Sequence, residues 1–225
     1  MGLIDTFFNW DILLRSFPIL LQGLGNTLMI GLTAIVCGSL LGLMICFVRL
    51  YAPKPLRLLA VAYIDIFRAL PILVVLILIY YALPFVGIAL SSFTSVSVAL
   101  SIVLAAFTAE VMRAGIENVA KGQFEAAASL GMSFWQSMRK IILPQATKVV
   151  IPPLTSNAIS TFKDTALASV VAMPDLLKQA SDAQALMANP TPLIGAAILY
   201  FLLLWPLVRL VGYLEKRSAT AKTAR

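Results

Sequence analysis

Apolar residues run along this chain in long unbroken stretches, separated by short clusters rich in charge, proline and glycine. From Ser16 to Val48 there are 33 residues without a charge. A membrane-crossing helix needs about 20. Five long, predominantly apolar stretches are present, at 18–48, 57–83, 95–116, 149–172 and 190–212, the second carrying Asp65 and Arg68 and the fourth Lys163 and Asp164. None shows the alternation of a membrane β-strand, so a β-barrel is excluded. Prolines lie where helices start: Pro144 or Pro152-Pro153 before the fourth stretch, and Pro190 and Pro192 before the fifth. The expected fold is all-α, a polytopic membrane protein with five transmembrane helices in one domain spanning 1–225.

Composition agrees. The chain has 225 residues, 60% hydrophobic and 12% charged. Soluble domains average about 25% charged. It is too short for two ordinary domains. Residues 1–15 carry Asp5, Asp11 and Arg15, and the apolar region behind them far exceeds a signal peptide's core, so no cleavable signal is expected.

The net charge of +7 reads as topology. With the N-terminus outside, thirteen of the 17 Lys and Arg fall in inner regions: Arg49, Lys54 and Arg57; Arg113, Lys121, Arg139, Lys140 and Lys148; Arg209, Lys216, Arg217, Lys222 and Arg225. Only Arg15 and Lys178 fall outside, while Arg68 and Lys163 lie within spans. That bias places the C-terminus in the cytoplasm, and no nucleic-acid partner is expected.

The cytoplasmic stretch between the third and fourth spans, 117–148, is long for a turn. Phe124, Ala127, Ala128, Gly131, Phe134, Trp135, Met138 and Ile142 recur near helical spacing. This pattern suits a docking element for a partner, or a helix in the headgroup layer with Arg139 and Lys140 on lipid phosphates.

Glu125-Ala126-Ala127, then Gly131, Ile141, Leu143 and Pro144 resemble the EAA motif of ABC importer permeases at every defined position. Phe67-Arg68-Ala69-Leu70-Pro71, Ala109-Glu110-Val111-Met112-Arg113, Gly122-Gln123-Phe124-Glu125 and Phe162-Lys163-Asp164-Thr165-Ala166 resemble further segments of the polar amino acid permeases, with Ala166 where serine is usual. The resemblance covers about 17–217. It implies a bacterial inner-membrane transport subunit that pairs with a second permease copy as a homo- or heterodimer. Two copies of a separate ATPase bind beneath it and hold ATP and Mg, an external solute-binding protein delivers an amino acid, and the EAA loop forms a coupling helix on the ATPase. Alanines 126–128 would let a partner approach closely. Glu125 would gain from the helix dipole, Gly131 would end or bend the helix, and Pro144 would stop the segment after it.

Charges inside spans are expensive and mark functional candidates. Asp65 with Arg68, and Glu110 with Arg113, are spaced to pair on their own helices. They suit either self-neutralised contacts at a protein–protein face, or gating and substrate passage, which makes Arg68 and Glu110 candidates for the substrate pathway with Lys163, Asp164, Thr165 and Asn157. Lys163 and Asp164 are adjacent, so they point about 100° apart on a helix. They fall near the middle of the fourth span with Asn157, Ser160, Thr161 and Thr165. Transporter sites favour the midplane. Lys163 could meet a substrate carboxylate and Asp164 an ammonium; alternatively, Asp164 braces a neighbouring helix and Lys163 snorkels. Cys37 and Cys46 are nine residues apart on one helix and cannot bond. Gly31, Gly38 and Gly42 form a stripe suited to close helix packing.

No catalytic residue and no metal site are expected. The chain has no histidine, no HExxH or GxSxG, and no GxxxxGK[ST] phosphate loop, so it binds no nucleotide cofactor of its own. The remaining alternative is an ion-gradient-driven secondary transporter or channel using Lys163 and Asp164.

Overall fold

The computed structural model describes Gly2 and residues 6–223, without the side chains of 214 and 216–223. Asp5 and Arg225 therefore lie outside the described residues, as do the side chains of Lys216, Arg217 and Lys222.

The chain is helical, with no strand among the described residues. Helix α1 runs Trp10–Tyr51, capped by the Asn9 side chain, which accepts from the Ile12 N–H at 3.1 Å. Its 42 residues span roughly 63 Å at 1.5 Å per residue. That is about twice the hydrocarbon core of a bilayer. It ends at Ala52, before Pro53. Helix α2 (Lys54–Ala69) and helix α3 (Ile72–Ile77) meet at Leu70-Pro71 with a bend of 105°. A π-helical turn, Leu78–Ala82, and a 3-10 turn, Leu83–Val86, extend α3 to Gly87. Helix α4 (Ser92–Glu117) follows a Ser91 cap. Helices α5 (Lys121–Ser129) and α6 (Phe134–Ser137) come next, then a π-helical turn, Met138–Ile142. Helix α7 (Leu143–Asp164) continues as a 3-10 stretch, Thr165–Val171. Helices α8 (Leu176–Met187) and α9 (Thr191–Thr223) complete the chain.

Among the described residues, three helices are long and apolar enough to cross a membrane: α1, α4 and Thr191–Tyr213 of α9. The bent α2–α3 pair makes a fourth if it is one span. The second stretch, expected as one run over 57–83, is thus broken: Pro71 lacks an N–H and holds Leu70 in extended backbone. The fourth stretch, expected over 149–172, begins earlier, at Leu143. It carries Pro152 and Pro153 inside the helix, and its α-helical part ends at Asp164. Lys163 and Asp164 therefore sit at a helix end and not at mid-helix.

The longest interface is α1 on α4. Glycines permit it. A Cβ at Gly38 would lie 2.9 Å from the Ser101 carbonyl oxygen, and one at Gly42 would lie 2.6 Å from Thr108 Cβ. Gly31 likewise makes room for the Phe162 ring. The opposite face of α1 presents Met29, Leu32, Val36, Leu40 and Met44, each more than half exposed. Such a stripe at helical spacing suits lipid. Cys37 is exposed and Cys46 buried, and both are free.

Four apolar clusters fill the described bundle, and two of them frame the site. One holds Ile30, Ala34, Val75, Leu100 and Val171. The other lies at the end carrying α5 and holds Cys46, Ile64, Met112, Met138 and Ile142.

Candidate functional site

Helix α5 buries one edge and presents the other. Ala127 is fully buried and Phe124 packs on the core of the α5 end, whereas Glu125, Ala126, Ala128 and Ser129 are exposed. Gly131 ends the helix in left-handed backbone, at φ 71°. Its N–H donates to the Ala128 carbonyl at 3.0 Å, and the Met132 N–H donates to the Ala127 carbonyl at 3.1 Å. That paired closure satisfies two orphan carbonyls and needs a residue tolerant of positive φ. Leu130, beside it, is 79% exposed.

Two expectations for this segment need correction. Glu125 is the fifth residue of α5, not in its first turn, so the dipole stabilisation expected for it does not apply. Pro144 does not stop a segment. It is the second residue of α7, directly after the π-helical turn in which the Leu143 N–H reaches back to the Met138 carbonyl. The π turn absorbs the proline that would otherwise break an α-helical ladder. Ile141 and Leu143 are half-buried against the same core as Phe124, and Pro144 is exposed.

A cavity of about 200 Å³ opens between α3, α4 and α7. Ile72, Leu100, Val103, Leu104 and Phe107 form its apolar wall; Asn157, Ser160, Thr161 and Asp164 form its polar wall. The Asn157 side-chain nitrogen is buried and has no hydrogen-bond partner among the described residues. A buried donor left unpaired costs roughly 1–3 kcal/mol, which makes Asn157 a costly residue to place behind the polar wall.

Of the charged residues singled out from sequence, only Asp164 lines this cavity, where Asn157, Ser160 and Thr161 join it. Lys163 is exposed and outside the lining. Thr165 is fully buried, its hydroxyl donating to the Phe162 carbonyl at 2.7 Å. Arg68 lies 5.7 Å from the centre of the Phe107 ring and is not among the lining residues. It makes no ion pair with Asp65, contrary to the spacing, and both are exposed. Glu110 does pair with Arg113, Nη2 to Oε1 at 2.5 Å, but it also takes Arg49 from α1 at 2.6 Å. Its carboxylate is thus engaged by two guanidinium groups and is not open to a ligand.

From sequence, Arg49 counts only as a topology charge and Phe107 carries no signal. No periodicity in α1 could name a partner 61 residues away. Asp175 is a further residue the sequence does not single out. It is fully buried, caps α8, and accepts from the Lys178 N–H at 3.1 Å and the Leu177 N–H at 3.2 Å.

The chain is similar over nearly its whole length to known permeases. It is 39% identical to the probable glutamine ABC transporter permease protein GlnM of Bacillus subtilis (strain 168), over 93% of this chain and 97% of that protein. It is 37% identical to the glutamate/aspartate import permease protein GltK of Escherichia coli O157:H7, over 94% and 99%. A crystal structure of an amino acid ABC transporter with histidines superposes with a TM-score of 0.84 at 37% identity, covering 91% of this chain and 96% of that one. Inward-facing MetNI methionine ABC transporter shares the fold, with a TM-score of 0.68 at 20% identity over 97% and 99%. Residues 34–220 match the family described as binding-protein-dependent transport system inner membrane component, and the chain is a member of that family, a transport subunit of the inner membrane.

Proposed function

We propose that this chain forms the membrane pathway of an ATP-driven importer of amino acids, glutamine and the acidic amino acids being the first candidates from its relatives. In this reading it crosses the membrane five times as one domain, N-terminus outside and C-terminus in the cytoplasm, with α2–α3 and α7 supplying the second and fourth crossings. Helix α5 is the coupling helix. Two ATPase subunits holding ATP and Mg dock on it, an external solute-binding protein meets the α8 end, and a second permease, identical or homologous, completes the pathway.

The observation that carries the proposal is α5 itself. The exposed Glu125, Ala126 and Ala128 give a low, nearly flat surface that a protein groove can approach. Phe124 ties that surface to the core below, Ala127 is fully buried beside it, and the Gly131 closure ends the helix. A rigid helix anchored this way can be pushed as a unit. The cavity supplies the other half: Asp164 offers a carboxylate to a substrate ammonium, on a wall it shares with Asn157, Ser160 and Thr161. Nucleotide binding closes the ATPases, the coupling helices approach, and the cavity changes the side it opens to; hydrolysis resets it. Bond cleavage belongs to the partner, because this chain has no phosphate-binding loop.

Purification in mild detergent with mass spectrometry tests this. Recovery of an ATPase carrying a phosphate-binding loop supports it, and a second permease species in the complex means a heterodimer. A stable preparation free of any ATPase, taking up amino acids on an ion gradient, overturns it in favour of a secondary transporter.

A further inference from the structure

Four charges lie between the cavity and α5. Arg49, in the last turn of α1, donates from Nη1 to Glu110 Oε2 at 2.6 Å. Arg113 donates to the same carboxylate, from Nη2 at 2.5 Å and from Nε at 3.3 Å. Arg113 also pairs with Glu117 at the end of α4. The side chains of Arg49, Glu110 and Arg113 are each about four-fifths buried. Positive and negative alternate, so the group is neutral and internally satisfied.

The placement of these charges matters more than their pairing. Phe107, Glu110, Arg113 and Glu117 follow one another by three, three and four residues along one side of α4. Phe107 walls the cavity. Glu117 ends α4, and Lys121 begins α5. The series therefore runs from cavity to coupling helix, and Arg49 joins it from another helix. The end of α1 is held to the segment after α5 as well: Tyr51 meets Phe134 edge-on at 4.9 Å, and Phe47 lies 6.3 Å from Trp135.

The geometry points to Arg49 as a positioning residue that locks the ends of α1 and α4 into one lever, so that displacement of α5 reaches the Phe107 wall of the cavity. Without it, α4 keeps its own Glu110–Arg113–Glu117 pairs and folds on the Gly38–Gly42 contact, but the ends of α1 and α4 beyond that contact part, and the push on α5 is lost between them.

This inference rests on the proposed function, and the test separates the two. The complex of this chain with its ATPase and binding protein is reconstituted in proteoliposomes. Uptake of radiolabelled glutamine and glutamate is measured with ATP hydrolysis in the same vesicles. Arg49→Met keeps the apolar stem and removes the charge. It is expected to lower uptake per ATP hydrolysed roughly tenfold, the scale of an ordinary coupling free energy, with basal hydrolysis retained. Arg49→Lys can still make a single ion pair and is expected to restore most of the ratio. Glu117→Gln, at a half-exposed site, shifts the ratio the same way by less. An unchanged ratio in Arg49→Met, or uptake and hydrolysis falling together in both Arg49→Met and Glu117→Gln, overturns the inference. If Arg49→Met fails to assemble, an unchanged ratio in Glu117→Gln overturns it. A wild-type complex without stimulated hydrolysis would instead overturn the proposed function.

Discussion

The two ends of the bundle are held together by different chemistry. At the α5 end, ions reach across helices: Arg49 on α1 grips Glu110 on α4, reinforced by aromatic rings between α1 and α6. At the α8 end, Leu20, Leu176, Ala180 and Ala196 pack as an apolar core, and the polar ties between helices are hydrogen bonds. Asn26 donates to the Pro174 carbonyl at 2.8 Å, the Leu176 N–H donates to Thr27 Oγ1 at 3.1 Å, and the Asn9 N–H donates to Thr191 Oγ1 at 3.2 Å. The ion pair there, Lys178 with Asp182, stays within α8. A hydrogen bond contributes about 1 kcal/mol net and exchanges readily with a partner's groups or water. A shielded network of alternating charges resists separation, because removing one member leaves another uncompensated. The α5 end thus ties its helices together with charge, and the α8 end with apolar packing and hydrogen bonds.

Merging the two ends into one failure gives the largest effect. Gly42→Leu places a side chain where Cβ alone would lie 2.6 Å from Thr108 Cβ and 2.7 Å from the Ala105 carbonyl oxygen. Backbone cannot give way as a rotamer can, and overpacking costs about 1–3 kcal/mol or more. The expected outcome is loss of monodisperse protein in detergent. Gly212→Leu, where a Cβ meets nothing within 4 Å, is expected to purify as wild type. Equal yields of the two variants contradict the glycine-mediated contact.

Gly131→Asp separates the ends functionally. Aspartate tolerates the left-handed backbone at φ 71° better than most residues, so the protein is expected to insert. A charge now sits beside the proposed coupling surface, and uptake is expected to fall to background while ATP hydrolysis continues. Wild-type uptake would sink the assignment of α5 to coupling.

Which features are legible in sequence follows from what each depends on. Apolar runs and the helix-ending Gly131 depend on neighbours in the chain, and both can be read. The bend at Leu70-Pro71 cannot, because hydropathy reports what a segment is made of and not where it points. Pro152 and Pro153 suggest a helix start, yet helix neighbours tolerate them within α7. Spacing proposes both Asp65–Arg68 and Glu110–Arg113. Only the second forms, because a partner's position depends on tertiary packing: Arg68 turns to the Phe107 ring instead. Lys163 and Asp164 stand together in sequence, but the end of α7 leaves Asp164 in the cavity wall and Lys163 outside it.

Asp164→Asn tests the cavity, which lies between the two ends. The variant keeps volume and removes charge. Losing a charge-assisted contact of about 1.5–3 kcal/mol predicts a rise of roughly ten- to a hundredfold in the KM for uptake, with yield unchanged. Unchanged affinity and unchanged substrate-stimulated ATPase would remove Asp164 from the pathway and leave it a brace.

The smallest effect sharpens the comparison at the α8 end. Among the described residues, no cation pairs with the Asp175 carboxylate. It caps α8, and the Tyr200 hydroxyl donates to it at 3.5 Å. Burial pushes its carboxyl up from 3.8 to about 6, against the pull of the backbone N–H groups that donate to it. The folded state therefore binds this proton more tightly than the unfolded chain does. Stability falls as pH rises through the window between about 4 and 6 and levels off above it, the reverse of a salt-bridged carboxylate. An asparagine side chain in its place would keep an acceptor for the Leu177 and Lys178 N–H groups, since asparagine caps helices as well as aspartate does. Asp175→Asn is thus expected to flatten the thermal-stability profile across that window while leaving uptake intact at neutral pH. A variant profile that keeps the wild-type slope would place the titration elsewhere and remove the contrast between an ion-braced end and a dipole-braced one.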